Sequence, residues 1–309
     1  MTVQWVLRAA THLDLFGDTR GAIMRQRSCF IIVFVSLLIA TGCSKGVPES
    51  TVEVVASFRQ TLPLEPGDPE WDRTPLHVEP LLLQDLVEPR LLEPSTREAR
   101  LRAFTDGTRI AFRIEWDDET RDDLPSASRF PDTCAVQLPL KVERDAPDPQ
   151  MGEPGRPVAI TFWSAFWQSS LDGRADTINE LHPGATVDHY PFQAKPLEQD
   201  PEAQKTMELR YAPARLLGNF MAGPRGSAVQ DLIAEGPGTL SPSEDSSSSG
   251  SGQRTDRGWA VVIMRPIPWG RSAEGQAQVA VAIANGSRGE AGSRKMRSAW
   301  VPLILEEPQ

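Results

Sequence analysis

The stretch TRIAFRIEW, residues 108–116, decides the fold. Ile110, Phe112, Ile114 and Trp116 alternate with Ala111, Arg113 and Glu115. Successive side chains of a strand point to opposite faces, so this period of two places the large apolar residues on one buried face. The acidic run Asp117-Asp118-Glu119 ends the strand at a turn.

The same reading extends outward. Residues 51–59 (TVEVVASFR) form a first strand, and further strands are expected at 134–140, 158–163, 207–211, 258–266, 276–284 and 299–305. These runs are rich in Val, Ile and Trp and are bounded by Gly, Pro, Asn or Ser. Residues 60–100 carry many prolines and acids and are expected to be irregular, with short strand pieces. Residues 216–220 are read as a short helical turn. The stretch 241–258 (SPSEDSSSSGSGQRTDRG) has nothing to bury and is read as a mobile surface loop between strands. With 23 glycines and 27 prolines, turns dominate over long helices. The expected class is all-β, a mostly antiparallel β-sandwich with few short helices, in one domain over residues 51–309.

Ahead of that domain lies an export signal. Arg25 and Arg27 precede an apolar run from Phe30 to Ala40, and the small residues Ala40, Thr41 and Gly42 precede Cys43. This is the layout of a secretory signal peptide, and the run is too short to span a bilayer, which takes about 20 residues. Ala-Thr-Gly-Cys resembles a bacterial lipobox, with Ala40 where Leu is usual, so Cys43 is the expected lipidation site. Residues 1–43 are thus read as an upstream extension plus signal, with translation starting at Met24, and 44–50 as a polar tether. The expected location is periplasmic, with the membrane touched only through the lipid anchor.

The net charge of −10 makes nucleic acid an unsuitable partner. Of three cysteines, Cys29 and Cys43 belong to the signal and only Cys134 to the folded body, so no disulfide framework exists there. No CxxCH motif for covalent haem, no GxGxxG and no P-loop occurs, and no GxSxG elbow lies in the folded body. His12, His77, His182 and His189 form no compact zinc motif.

Four segments together resemble a known family. They are RIEWDDETRDD at 113–123 with RFPDTCAVQLPL at 129–140; MGEPGRPVAITFW at 151–163; DLIAEGPGTL at 231–240 with GWAVVIMRPI at 258–267; and VAVAIANGSRGEAGSRKMRSAWVPLIL at 279–305. The set resembles the haem b-binding γ subunits of ethylbenzene dehydrogenase, dimethyl sulfide dehydrogenase, chlorate reductase and selenate reductase. The resemblance runs over about residues 50–306. It implies a β-sandwich that holds one haem b between Met151, which opens the MGEPGRPV motif, and Lys295 in the segment GSRKMR. It also implies partners: a molybdopterin-containing α subunit, an iron–sulfur β subunit and a soluble periplasmic electron carrier. The chain would then be an electron-transfer subunit and not the catalyst.

The residue types suit that role. A thioether is soft and favours reduced iron. A Lys amine ligates only when neutral, which burial promotes, whereas an Arg guanidinium stays protonated. Arg156, Arg294 and Arg297 are candidates for the haem carboxylates, because Arg pairs bidentately with such groups. Trp163, Phe166 and Trp167 either wall the cofactor or fill the sandwich core. The alternative function is a haem-free β-sandwich lipoprotein that binds carbohydrate or a protein partner.

Overall fold

The computed structural model describes residues 50–124, 129–174, 199–211, 217–223, 225–269 and 276–308, with 182, 184 and 214 between them. The signal segment with Cys43, nearly all of the tether, His12 and His189 lie outside the described residues. In chain order the strands are β1 (Val54–Phe58), β2 (His77–Pro80), β3 (Leu82–Leu83), β4 (Glu98–Thr105), β5 (Arg109–Asp117), β6 (Thr133–Pro139) and β7 (Val158–Ser164). After helices α1 (Ala165–Leu171) and α2 (Pro201–Tyr211) follow β8 (Val229–Ala234), β9 (Ser241–Pro242), β10 (Ser249–Arg254), β11 (Gly258–Pro266), β12 (Gln278–Ala284), β13 (Met296–Arg297) and β14 (Val301–Leu305).

The strands hydrogen-bond along the path β10-β11-β5-β4-β1-β14-β12-β6-β7-β8-β9. Pairing is antiparallel except at β1, which runs parallel to both β4 and β14. β14 joins the two halves of the path: Leu303 to Leu305 pair with β1, and Val301 and Pro302 pair with β12. Ile110, Phe112, Ile114 and Trp116 of β5, all fully buried, meet Val136 and Leu138 of β6 and Val281 and Ile283 of β12 in one core. Trp163 sits edge-on to both Trp116 and Trp259, at 6.2 and 5.2 Å between ring centroids, and closes one end. The all-β sandwich expected from the alternation is therefore the fold. The other face of β5 is covered too: Trp71 and Leu62, from the proline-rich stretch, pack on Phe104, Ala111 and Val262.

Two expectations are corrected. Residues 207–211 belong to α2, not to a strand. Asp200 accepts the Glu202 N–H at 2.9 Å as an N-terminal cap, Pro201 opens the helix, and helix-favouring Glu, Ala, Gln and Lys follow. The stretch 241–258 is not a loop throughout. Within it β10 pairs with β11 over six residues, and the Gln168 side chain of α1 accepts the Gly252 N–H at 2.8 Å. A Cβ at Gly252 would overlap the Trp163 ring, so the small residues that read as flexible are what lets this strand lie against the core. Within the expected turn at 216–220, residues 217, 218 and 220 are turns, and Leu216 lies outside the described residues.

One buried carboxylate ties the segments around β6. Asp132 accepts from Gly286 N at 2.9 Å, Asp122 N at 3.0 Å and the Trp259 indole at 2.9 Å. Burial and the neighbouring Asp118 raise its carboxyl to about 7, against the pull of these three donors. The unfolded value is about 3.9. Between the two values the folded chain holds a proton that the unfolded chain has lost, so this group lowers stability as pH rises through that window. Asp132→Asn removes the titration and turns an amide N–H₂ towards groups that are themselves donors. The expected result is a loss of about 2 kcal/mol and a flatter stability profile between about pH 4 and pH 7, read by urea unfolding at several pH values.

Candidate cofactor site

The layer formed by β12, β6, β7 and β8 has a second face, turned away from the main core. On β12 the large residues Val279, Val281 and Ile283 point inward, and the small residues Ala280, Ala282 and Ala284 point outward. Ala282 pairs with Ala135 of β6, which pairs with Phe162 of β7; one step along, Ala280, Gln137 and Ile160 form the next row. The result is a shallow floor, low at β12 and β6 and higher at Phe162, Ile160 and Leu232. It lies under a cavity of about 680 Å³.

Met151 enters from the loop between β6 and β7. It is the one non-glycine among the described residues with a left-handed backbone, at φ 74°. A side chain there is strained, and the surrounding bonds hold it in place. Gly152 N donates to the Asp148 carbonyl at 2.9 Å, and Gly236 N donates to the Met151 carbonyl at 2.8 Å. The Trp300 indole anchors the preceding turn through the Pro147 carbonyl at 2.5 Å. The Met151 side chain packs against the cluster of Ile160 and Leu232 and lines the cavity.

Lys295 enters from the far end of the chain, just before β13, which pairs with β12 and β3. Its Nζ lies 4.0 Å from Met151 Sδ, although the two residues are 144 positions apart. Among the described residues no carboxylate forms an ion pair with this amine. Burial, and then the charge of Arg297, lower its pKa below the ordinary Lys value. Both effects favour the neutral amine, whose lone pair is free to bind a metal.

The structure divides the remaining candidates. Arg297 lines the cavity and its buried Nε has no partner. Arg156 is held instead by Glu143, Glu153 and the Asp145 carbonyl and does not line it; nor does Arg294. Phe166 and Trp167 wall the cavity, whereas Trp163 belongs to the sandwich core. His77 is engaged by the Thr51 carbonyl at 2.8 Å and by Glu79 at 3.0 Å, away from the cavity, and His182 is exposed. Cys134 is a free, buried thiol of the core cluster, raised well above its ordinary pKa by burial. The outward alanines had a sequence signal, the large-small alternation VAVAIA at 279–284, that was not read as a floor. Glu290, buried at the cavity wall with one oxygen unpartnered, had none.

The model of the ethylbenzene dehydrogenase family matches residues 68–296. The chain belongs to this family. The matched stretch contains β2 to β12 and reaches Lys295, so the whole cavity floor and both converging side chains lie within the family's own region. A curated relative is named "Putative respiratory nitrate reductase heme subunit ORF7", from Haloferax mediterranei, and is 24% identical over 160 residues. That match spans 51% of this chain and 55% of the relative, about half of each. Among solved structures, a family 9 carbohydrate-binding module from Caldicellulosiruptor kristjanssonii, in complex with glucose, overlaps 83% of this chain and 96% of its own at a TM-score of 0.37 and 8% identity. A likeness of that size carries no argument about ligand or fold.

For a family member with these side chains, the fit to a haem is direct. A soft thioether and an amine of lowered pKa, both lining the cavity, face each other at 4.0 Å, a donor pair that would hold the iron of a haem bound there. The cavity falls in the range of about 300–1,000 Å³ usual for cofactor sites, and apolar residues dominate its floor. The orphaned Arg297 Nε is the kind of donor a carboxylate on the ring edge would satisfy.

Proposed function

We propose that this chain is the haem b electron-transfer subunit of an exported molybdoenzyme complex. It relays electrons between an iron–sulfur subunit and an external carrier, while a separate molybdopterin subunit carries the catalysis. The observation that supports this reading best is the convergence of Met151 Sδ and Lys295 Nζ to 4.0 Å above an apolar floor. Family membership and the relative named as a haem subunit agree with it. In the same reading, Cys43 carries the lipid that anchors the chain at the membrane surface.

Each residue has a defined task. Met151 offers a soft thioether from a loop that cannot relax, and so favours the reduced metal. Lys295 offers a neutral amine because burial and Arg297 oppose its protonation. Together these two side chains would hold the iron of a bound haem, one from each loop. A haem so held supplies one-electron exchange. Phe162, Phe166 and Trp167 keep water from its face, and Arg297 meets its carboxylates.

The test is a visible spectrum of the full chain produced with ample haem. The expected result is a low-spin, reversibly reducible spectrum with haem bound in a one-to-one ratio and extractable by acid acetone, as a non-covalent haem b is. Protein that folds fully but stays colourless overturns the proposal.

A further inference from the structure

Lys295 does not rest on a long element. β13 spans two residues, and the turn before it is Ala291-Gly292-Ser293-Arg294. A ligand on so short a support needs an outside brace, and the structure contains one. Gln84, buried although it lies in the proline-rich stretch, is bonded at every polar group. Its backbone N–H donates to the Lys295 carbonyl at 3.1 Å, and its backbone carbonyl accepts from Leu91 N at 2.9 Å. Its side-chain Nε2 donates to the Ser293 carbonyl and to the Val87 carbonyl, both at 3.0 Å. Its Oε1 accepts from Leu86 N at 2.9 Å and Val87 N at 3.0 Å. A second tie runs beside it: Ser293 Oγ donates to the Pro89 carbonyl at 2.8 Å.

We propose that Gln84 is the positioning residue that holds Lys295 at the cofactor. It rigidifies the 84–91 segment through Oε1 and clasps the lysine turn through Nε2 and its own backbone. This rests on the reading of Lys295 as an axial ligand. Gln84 touches neither metal nor ring; it limits how far the amine swings away. Both Gln84 and Val87 line the cavity, so the brace also forms part of its wall.

The experiment uses the full haem-loaded chain and carbon monoxide as the probe of the reduced protein. Carbon monoxide enters when either ligand has left, so a variant that loosens only the amine raises its apparent affinity through the fraction of time the Lys side is open. Gln84→Ala removes the whole side-chain brace. Gln84→Glu keeps the acceptor for Leu86 N and Val87 N and loses the amide donors to the Ser293 and Val87 carbonyls, so the Oε1 bonds still hold the segment while the clasp on the lysine turn opens. Losing a buried hydrogen bond of this kind corresponds to about a tenfold gain in open fraction. Both variants are expected to bind carbon monoxide at least about tenfold more tightly than the natural protein, with Lys295→Ala as the upper limit. If Gln84→Ala does not fold, Gln84→Glu decides. If Gln84 variants bind carbon monoxide as the natural protein does while Lys295→Ala binds it more tightly, the positioning role is wrong and the ligand reading stands. If Lys295→Ala itself changes neither spectrum nor affinity, the ligand reading falls and the inference falls with it. A merely structural role lowers the urea midpoint and leaves the carbon monoxide affinity unchanged, which also overturns it.

Discussion

Lys295→Ala is expected to convert the haem-loaded protein from low-spin to high-spin and to open one side of its iron. The amine stands 4.0 Å from Met151 Sδ, and Lys295 and Met151 both line the cavity. Among the described residues no His is placed to replace it: His77 is occupied by Thr51 and Glu79, and His182 is exposed. If the natural protein is open on that side for about one part in a hundred of the time, removing the amine raises apparent carbon monoxide affinity about a hundredfold. Lys295→Arg is expected to behave like the Ala variant despite keeping length and charge. A guanidinium does not give up its proton, and its planar fork has no lone pair for a metal. Absorption spectra of the oxidised protein and carbon monoxide titration of the reduced protein check both. A natural-type spectrum in Lys295→Ala rules the residue out as a ligand. The same substitution in haem-free protein is expected to be neutral or stabilising. It removes a buried amine that has no carboxylate partner among the described residues, and such a group is costly until a metal accepts its lone pair.

Much of the fold is legible in the sequence: the alternation of large apolar residues marks 108–116, and runs of Val, Ile and Trp bounded by turn residues mark 158–163 and 258–266. Each lies in a strand within a residue or so of the expected limits. Other strands hide for definable reasons. β4, with the sequence EARLRAFT, alternates charge and apolar side chains as β5 does, yet it adjoins the proline-rich stretch whose character masked it. β10 is written in Ser and Gly because the Trp163 ring fills the space that larger side chains would need. α2 has the sequence PEAQKTMELRY, where helix propensity and an Asp cap override the brief alternation at its end.

The site was legible in part and for a different reason. Met151 and Lys295 were carried by resemblance, since a lone Met before a Gly-Pro turn or a Lys in a basic run is ordinary in itself. The fold adds what no local pattern holds, namely that two loops 144 residues apart end on atoms 4.0 Å from each other. Among the arginines, sequence gave no means to separate Arg297 from Arg156. Local acids decide it: Glu143 and Glu153 hold Arg156, whereas the Nε of Arg297 finds no partner. Gln84 left no trace, because a buried amide that satisfies backbone groups has no characteristic spacing.

Gly152→Ala is expected to dislodge Met151 and abolish six-coordinate haem, while Gly155→Ala leaves it in place. Both glycines have φ near 79°, where an L side chain costs about 1–2 kcal/mol. They differ in what a Cβ meets. At Gly155 nothing lies within 4 Å, so the strain alone is felt. At Gly152 the new carbon would stand 2.9 Å from the Arg156 carbonyl oxygen and 3.0 Å from the Ala234 carbonyl oxygen. Both are backbone atoms on rigid supports, the first in the turn and the second at the end of β8, so neither can yield as a flexible side chain would. Overpacking of this kind adds about 1–3 kcal/mol, for a total of roughly 2–5 kcal/mol concentrated in the turn. The chain's route to relief is for 148–153 to move off β8, which breaks the bond from Gly236 N to the Met151 carbonyl and distorts the one from Gly152 N to Asp148. Those bonds hold Met151 in its left-handed conformation, so its sulfur leaves the axis that Lys295 faces. The expected signature is a high-spin spectrum and a lowered reduction potential in Gly152→Ala, because the soft ligand that favours reduced iron is lost. Gly155→Ala should show a natural-type spectrum with a urea midpoint lowered by the equivalent of about 1 kcal/mol. A low-spin spectrum and unchanged potential in Gly152→Ala, with the protein folded, would mean that the sulfur at 151 does not hold the iron.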